Sequence, residues 1–135
     1  MYVQSAINSI LTLDYMKNEP ENKYFDRKSA KIRPSDLATH VSAFANAGGG
    51  TIVIGISDNG TVEGINLAGE EKINSFINVP KDSCHPMPMY KEEFLNVIND
   101  KNQSDRLLLL HIQESIDQII RTSNDCAFLR IGDRT

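Results

Sequence analysis

Little in this sequence points outside an ordinary globular domain. Cysteine is scarce: Cys84 and Cys126 stand alone with no CxxC pair, so neither a disulfide framework nor a zinc motif is suggested. Long apolar runs are missing. The longest, "TIVIGI" and "LLLL", fall far short of the ~20 residues that a membrane span requires. The opening "MYVQSAINSILTLDYMKNEP" lacks the basic start and long apolar block of a secretory leader. A cytoplasmic location is the default, with no membrane partner. Basic charge is also in deficit, 14 Lys and Arg against 18 Asp and Glu, for a formal net charge of -4. That excludes a global field attractive to nucleic acid; any such contact must come from a local basic patch.

What is present suffices for one domain with its own core: 135 residues, 40% hydrophobic and 24% charged, with no internal repeat or low-complexity segment. The ending "CAFLRIGDRT" reads as a strand reaching a turn, which suggests a domain cut from a longer protein. Val3, Ala6, Ile7, Ile10 and Leu11 recur at helical spacing and predict an amphipathic helix over 2–13, ended by Pro20 and its polar neighbours. "KYFDRKSAKI" reads as a strand with imperfect alternation, since Phe25 and Arg27 should share a face; a bulge or an edge position would reconcile them. "RPSDLATHVSAFANA" is the clearest helix, with Leu37, Val41 and Phe44 as its stripe and Ser35 or Asp36 as its cap. "TIVIGISD" predicts a buried strand, "DNG" a hairpin turn, and "TVEGI" an antiparallel return.

Further on, "AGEEKINSFINV" predicts a helix and "CHPMPMY" a proline-broken extended stretch. "KEEFLNVIND" and "DRLLLLHIQES" predict two strands joined by a polar turn, and "CAFLRIGD" a last strand. The fold class that follows is α+β: a two-layer sandwich of a mixed, mostly antiparallel sheet with helices packed on it.

The triple glycine at 48–50 can be judged by direction. A phosphate loop needs strand, glycines, then helix, because the helix N-terminus carries the free N–H groups. Here the order is reversed and no Lys-Ser/Thr follows, so Gly48 or Gly49 reads as a helix C-cap. The glycines would also let another backbone or a nucleic-acid strand approach closely. Residues 21–33 hold five cations, Lys23, Arg27, Lys28, Lys31 and Arg33, against Glu21 and Asp26. Such clustering suits phosphate contacts, with Tyr24 or Phe25 available to stack on a base. A solvated edge strand that uses lysine to block aggregation would look the same. His40, His85 and His111 are dispersed, Cys84-His85 has no third ligand at metal spacing, and Ser42 and Ser57 have no evident His/Asp companions.

The run "SAFANAGGGTIVIGISDNGTVEGI" resembles the Schlafen AlbA-like DNA-binding domain. That family pattern runs E-S-x-x-φ-E-F-K, then a helix ending A-F-A-N-x-x-G-G, then φ-φ-φ-G-φ-x-D-x-G-x-φ-x-G. Here these become "ENKYFDRK", "SAFANAGGG" and "TIVIGISDNGTVEG", and "FLRIGD" resembles the closing R-φ-G. Asn46, Gly48, Gly49, Gly55 and Gly60 are the structural motif positions. Asp26 replaces the second glutamate and Arg27 the aromatic. The resemblance covers 21–135, leaving 1–20 as an N-terminal helix.

It implies an AlbA-like fold at the N-terminus of bacterial transcriptional regulators, beside a degenerate ATPase-like region and a winged helix. The expected function is binding DNA or RNA through the phosphate backbone, without a cofactor; a homodimer stays open. In vertebrate Schlafens the fold carries an RNA-cleaving site of three carboxylates, which would fall on Glu21, Asp26 and Asp58. Such a trio would bind Mg²⁺ or Mn²⁺ and make the domain a metal-dependent endoribonuclease. A protein-interaction or assembly domain is the third alternative. For the trio itself, the expectation is that it spreads apart, with Asp58 capping its own turn.

Overall fold

A computed structural model describes residues 12–135, so most of the helix expected over 2–13 lies outside the described residues. Helix α1 (Leu13–Asn18) is capped by Thr12, whose hydroxyl accepts the Tyr15 N–H at 3.1 Å. It stops at Glu19, which is extended, the conformation that a following proline imposes. Then come β1 (Phe25–Lys28), α2 (Pro34–Asn46), β2 (Gly50–Ile54), a 3-10 turn at Asn66–Ala68, α3 (Glu70–Asp82) and β3 (Cys84–His85). The chain continues through β4 (Tyr90–Ile98), β5 (Ser104–Ile112) and β6 (Arg121–Thr122).

The main sheet has the order β1-β2-β5-β4, with β1 parallel to β2 and the other pairs antiparallel. Parallel neighbours need a crossover, and α2 supplies it. Strands β3 and β6 form a separate two-stranded ribbon. The architecture is α+β with a mixed, mostly antiparallel open sheet, as the pattern of elements predicts.

Both faces of the sheet are covered, which explains why its inner strands read as unbroken apolar runs. Leu37, Val41 and Phe44 of α2 and Ile73 and Phe76 of α3 pack on Ile52, Ile54, Leu108 and Leu110. On the other face Met16 of α1 joins Phe25, Val53, Leu107 and Leu109. Strand β1 lies at the sheet edge, and Phe25 and Arg27 do share a face, with the guanidinium 5.2 Å from the ring centroid.

Three local expectations change. Helix α2 has Arg33 at its cap and Pro34 at its first position, with no side-chain cap; Asp36 instead holds the Arg33 guanidinium at 2.9 Å. The return after "DNG" makes one bridge, Ile56 to Val62, rather than a ladder. "CAFLRIGD" is not a strand. Its backbone groups find partners on α2 instead: Phe128 N–H donates to Ser42 Oγ at 3.2 Å, and Arg130 N–H to the Ala43 carbonyl at 3.2 Å. A segment satisfied by a helix has no need of a ladder.

Gly49 takes φ +74° and donates to the Phe44 carbonyl at 2.8 Å, closing α2 in the left-handed conformation. A β-carbon there would stand 2.7 Å from the Ile112 carbonyl oxygen. Close approach also accounts for Gly55 against Leu107 and Gly60 against the Lys17 carbonyl. Asn46 is a clamp. Its amide donates to the Ile120 and Phe128 carbonyls, both at 2.9 Å, and accepts the Ile120 N–H at 2.7 Å. Among the described residues, no helix is long and apolar enough to cross a membrane.

Candidate nucleic-acid interface

Strand alternation turns Asp26 and Lys28 toward α2, and Phe25 and Arg27 toward α1. Asp26 is buried, and its Oδ2 receives Arg130 Nη1 at 2.6 Å. Lys28 Nζ lies 3.3 Å from the other oxygen. His40 of α2 stands 3.8 Å from Oδ2, with Nδ1 bonded to Thr135 Oγ1 at 2.9 Å. Arg130 also donates to the Asn22 carbonyl at 2.9 Å and the Phe25 carbonyl at 3.2 Å, and lies 4.7 Å from the Phe44 ring centroid.

Glu21 completes the group. Its Oε2 accepts the Arg27 N–H at 3.0 Å, and its carboxyl is close enough to that of Asp26 for each to shift the other. Burial first, and then Asp26, push the Glu21 carboxyl up from 4.5 to about 7. Burial pushes Asp26 the same way, but Glu21 and the charges of Lys28 and Arg130 together hold it below its ordinary value. Below about pH 7 Glu21 therefore carries a proton beside an ionised Asp26. Asp26 Oδ1 is buried and has no hydrogen-bond partner, only the Lys28 ammonium at 3.3 Å. Burial and the nearby Lys28 charge depress His40 from 6.5 to about 4, so it is neutral near pH 7 and makes no ion pair there.

Asp58 is not brought to this group. It is exposed in the turn beyond β2, whereas Asp26 pairs with Ile52 inside the sheet. The turn is closed by others: Thr61 N–H donates to Ser57 Oγ at 3.2 Å and Asn59 Oδ1 at 3.1 Å. Among the described residues, no three Asp, Glu, His or Cys side chains are grouped to hold a metal ion. A hard cation such as Mg²⁺ or Mn²⁺ needs several oxygen ligands, and Arg130 and Lys28 already occupy the Asp26 carboxylate. The donor set does not fit one.

The five cations divide. Arg27 is buried, its Nε donating to the Met16 carbonyl at 2.6 Å and its Nη2 to the Glu19 carbonyl. It fastens the end of α1 to β1 and cannot reach a phosphate, contrary to the sequence expectation. Lys28 is half-buried beside Asp26. Arg33 is exposed but tied to Asp36. Lys23 and Lys31 are exposed, and Lys23 Nζ lies 5.5 Å from the Tyr24 ring centroid.

Sequence reasoning missed Arg130 and His40 as members of this group. The closing R-φ-G was a signal for Arg130; His40 carried none, because its neighbours come from β1 and the chain's last residue. His111 also has a defined place, bonded to Thr51 Oγ1 at 2.9 Å and Glu93 Oε1 at 2.8 Å across three strands. Cys84 is buried, and burial raises its thiol to about 11, so it is no thiolate ligand beside His85.

Comparison with known proteins adds one finding. No curated protein matches this sequence. A model of the family described as "Schlafen, AlbA_2" matches residues 21–135, from Glu21 of the carboxyl pair through Arg130 and beyond. This chain therefore belongs to the Schlafen, AlbA_2 family and carries its nucleic-acid-related domain.

Proposed function

We propose that this domain is the nucleic-acid-binding module of a bacterial-type transcriptional regulator, acting in the cytoplasm and gripping the phosphate backbone of DNA or RNA. Lys23 and Lys31 supply the leading contacts, with Lys28 and Arg33 beside them paired to Asp26 and Asp36. One observation carries this reading: both acids of the basic segment are withdrawn from its surface. Asp26 is buried and ion-paired, and Glu21 holds a proton up to about pH 7. Residues 21–33 thus present cationic charge to solvent on a chain that is acidic overall.

Salt titration tests it. Each phosphate contact releases condensed counterions, so losing one flattens the log–log salt slope by about 0.9 on duplex and about 0.7 on single strands. Lys23→Gln and Lys31→Gln, singly and together, are compared with the parent by fluorescence anisotropy on labelled DNA and RNA. A slope unchanged in the double variant overturns the reading.

One observation favours a second reading. Glu21, protonated beside an ionised Asp26, has the pKa of a general acid at neutral pH. Cleavage of labelled RNA by the parent that disappears in Glu21→Gln would support a nuclease; intact RNA in both removes it.

A further inference from the structure

Resting on the nucleic-acid reading, we infer that Tyr24 is a base-stacking platform and that the domain therefore prefers unpaired strands to duplex. An exposed aromatic ring is by itself unremarkable. This one differs in how it is held. The Tyr24 N–H donates to Asn22 Oδ1 at 2.8 Å and its carbonyl accepts the Thr51 N–H at 2.9 Å, so its main chain is pinned on both sides. A β-carbon at Gly50 would stand 2.6 Å from that carbonyl oxygen, which leaves the strand no slack. The residue nevertheless remains 56% exposed.

Gly48 explains the ring's position. A β-carbon there would meet Tyr24 Cε1 at 2.8 Å, so one ring edge rests where any other residue would place a side chain. Gly48 is itself exposed, and the surface beside the ring is bare backbone. Lys23 stands 5.5 Å from the ring centroid, placed to meet the phosphate flanking a stacked base. A ring carried on a pinned main chain, an exposed glycine at its edge and an adjacent cation are the parts of a single-strand stacking site. In a duplex each base already stacks on its neighbours and offers no free face, so the ring favours unpaired nucleotides.

The experiment measures binding of the 135-residue chain to a labelled single-stranded oligonucleotide and to a duplex of the same sequence. Tyr24→Leu should weaken single-strand binding roughly 5- to 150-fold, the range for one lost base–aromatic stack. Duplex binding should stay within about twofold. Tyr24→Phe should retain the parent's preference. Gly48→Ala, which pushes the ring aside, should reproduce part of the Tyr24→Leu loss. Thermal unfolding of each variant separates lost stacking from lost fold. Equal single-strand binding by parent and folded Tyr24→Leu overturns this inference while leaving the phosphate reading intact. No binding of either strand form by the parent overturns both.

Discussion

Replacing Glu21 with glutamine should tilt a stability curve that the wild type keeps nearly level between about pH 4.5 and 6.5. Two groups of one cluster titrate oppositely there. Glu21 is raised from 4.5 to about 7. The folded state thus binds a proton that the unfolded chain has released, and this stabilisation is complete below pH 4.5 and lost as pH rises through about 7. His40 is lowered from 6.5 to about 4. Its contribution is complete above pH 6.5 and lost as pH falls through about 4. Between the two ordinary values, folding gains one proton at Glu21 and loses one at His40, so the slopes cancel.

The other charged groups facing them do not titrate in this window. The acids beside them, Asp26 and Asp36, are both held below their ordinary 3.8, each by its basic partners. One uncompensated proton changes stability by at most ~1.4 kcal/mol per pH unit. Both side chains have partial solvent access, and screening reduces that to roughly half. Glu21→Gln keeps a neutral donor toward Asp26 and removes one titration; its stability should climb by about 1 kcal/mol from pH 4.5 to 6.5. His40→Gln should fall over the same interval. Urea unfolding at half-unit pH steps reads both slopes. A Glu21→Gln curve parallel to the wild type would refute a proton held on Glu21.

Arg130→Met should cost about 3–5 kcal/mol in chemical denaturation by stranding the buried Asp26 carboxylate, and adding Asp26→Asn should recover a large part. Arg27→Gln should lower stability by about 2 kcal/mol while leaving the salt dependence of nucleic-acid binding unchanged, because its bonds go to the carbonyls of α1. A flattened salt slope in that variant would return Arg27 to the interface. Asn46→Ala should cost about 2–4 kcal/mol and expose the Ile120 amide to hydrogen exchange, since that N–H loses its acceptor.

The sequence makes legible whatever is decided locally. Leu37, Val41 and Phe44 announce α2, and the apolar runs announce β2 and β5, because periodicity and β-branching act within one element. Gly49 is readable for the same reason, as a left-handed cap defined by the helix before it. Arg27 is misread because nothing nearby in sequence tells a charged strand residue that its partners are the Met16 and Glu19 carbonyls. The segment 126–133 has strand-like residues, yet its partners are Ser42 and the Ala43 carbonyl on a helix some 85 residues earlier. Asp58 reached the carboxylate trio through family resemblance, and only the tertiary path of the turn beyond β2 separates it from Asp26.

Strand β1 links stability to the proposed chemistry. As an edge strand of four residues, it turns unpaired backbone groups outward, an invitation to pair with another chain. Two long side chains fill that edge. Glu21 accepts the Arg27 N–H, and Arg130 donates to the Phe25 and Asn22 carbonyls. The same two residues flank Asp26, one protonated below about pH 7 and one neutralising it. Sealing the edge therefore also draws the segment's negative charge inward, so that Lys23 and Lys31 dominate outside. Disrupting Arg130 should then have two consequences at once. The fold weakens, and the unbalanced Asp26 charge reduces the attraction of this face for phosphate even at temperatures where the variant remains folded. A folded Arg130→Met chain that binds nucleic acid as tightly as the parent would separate the two roles and leave Arg130 with the edge alone.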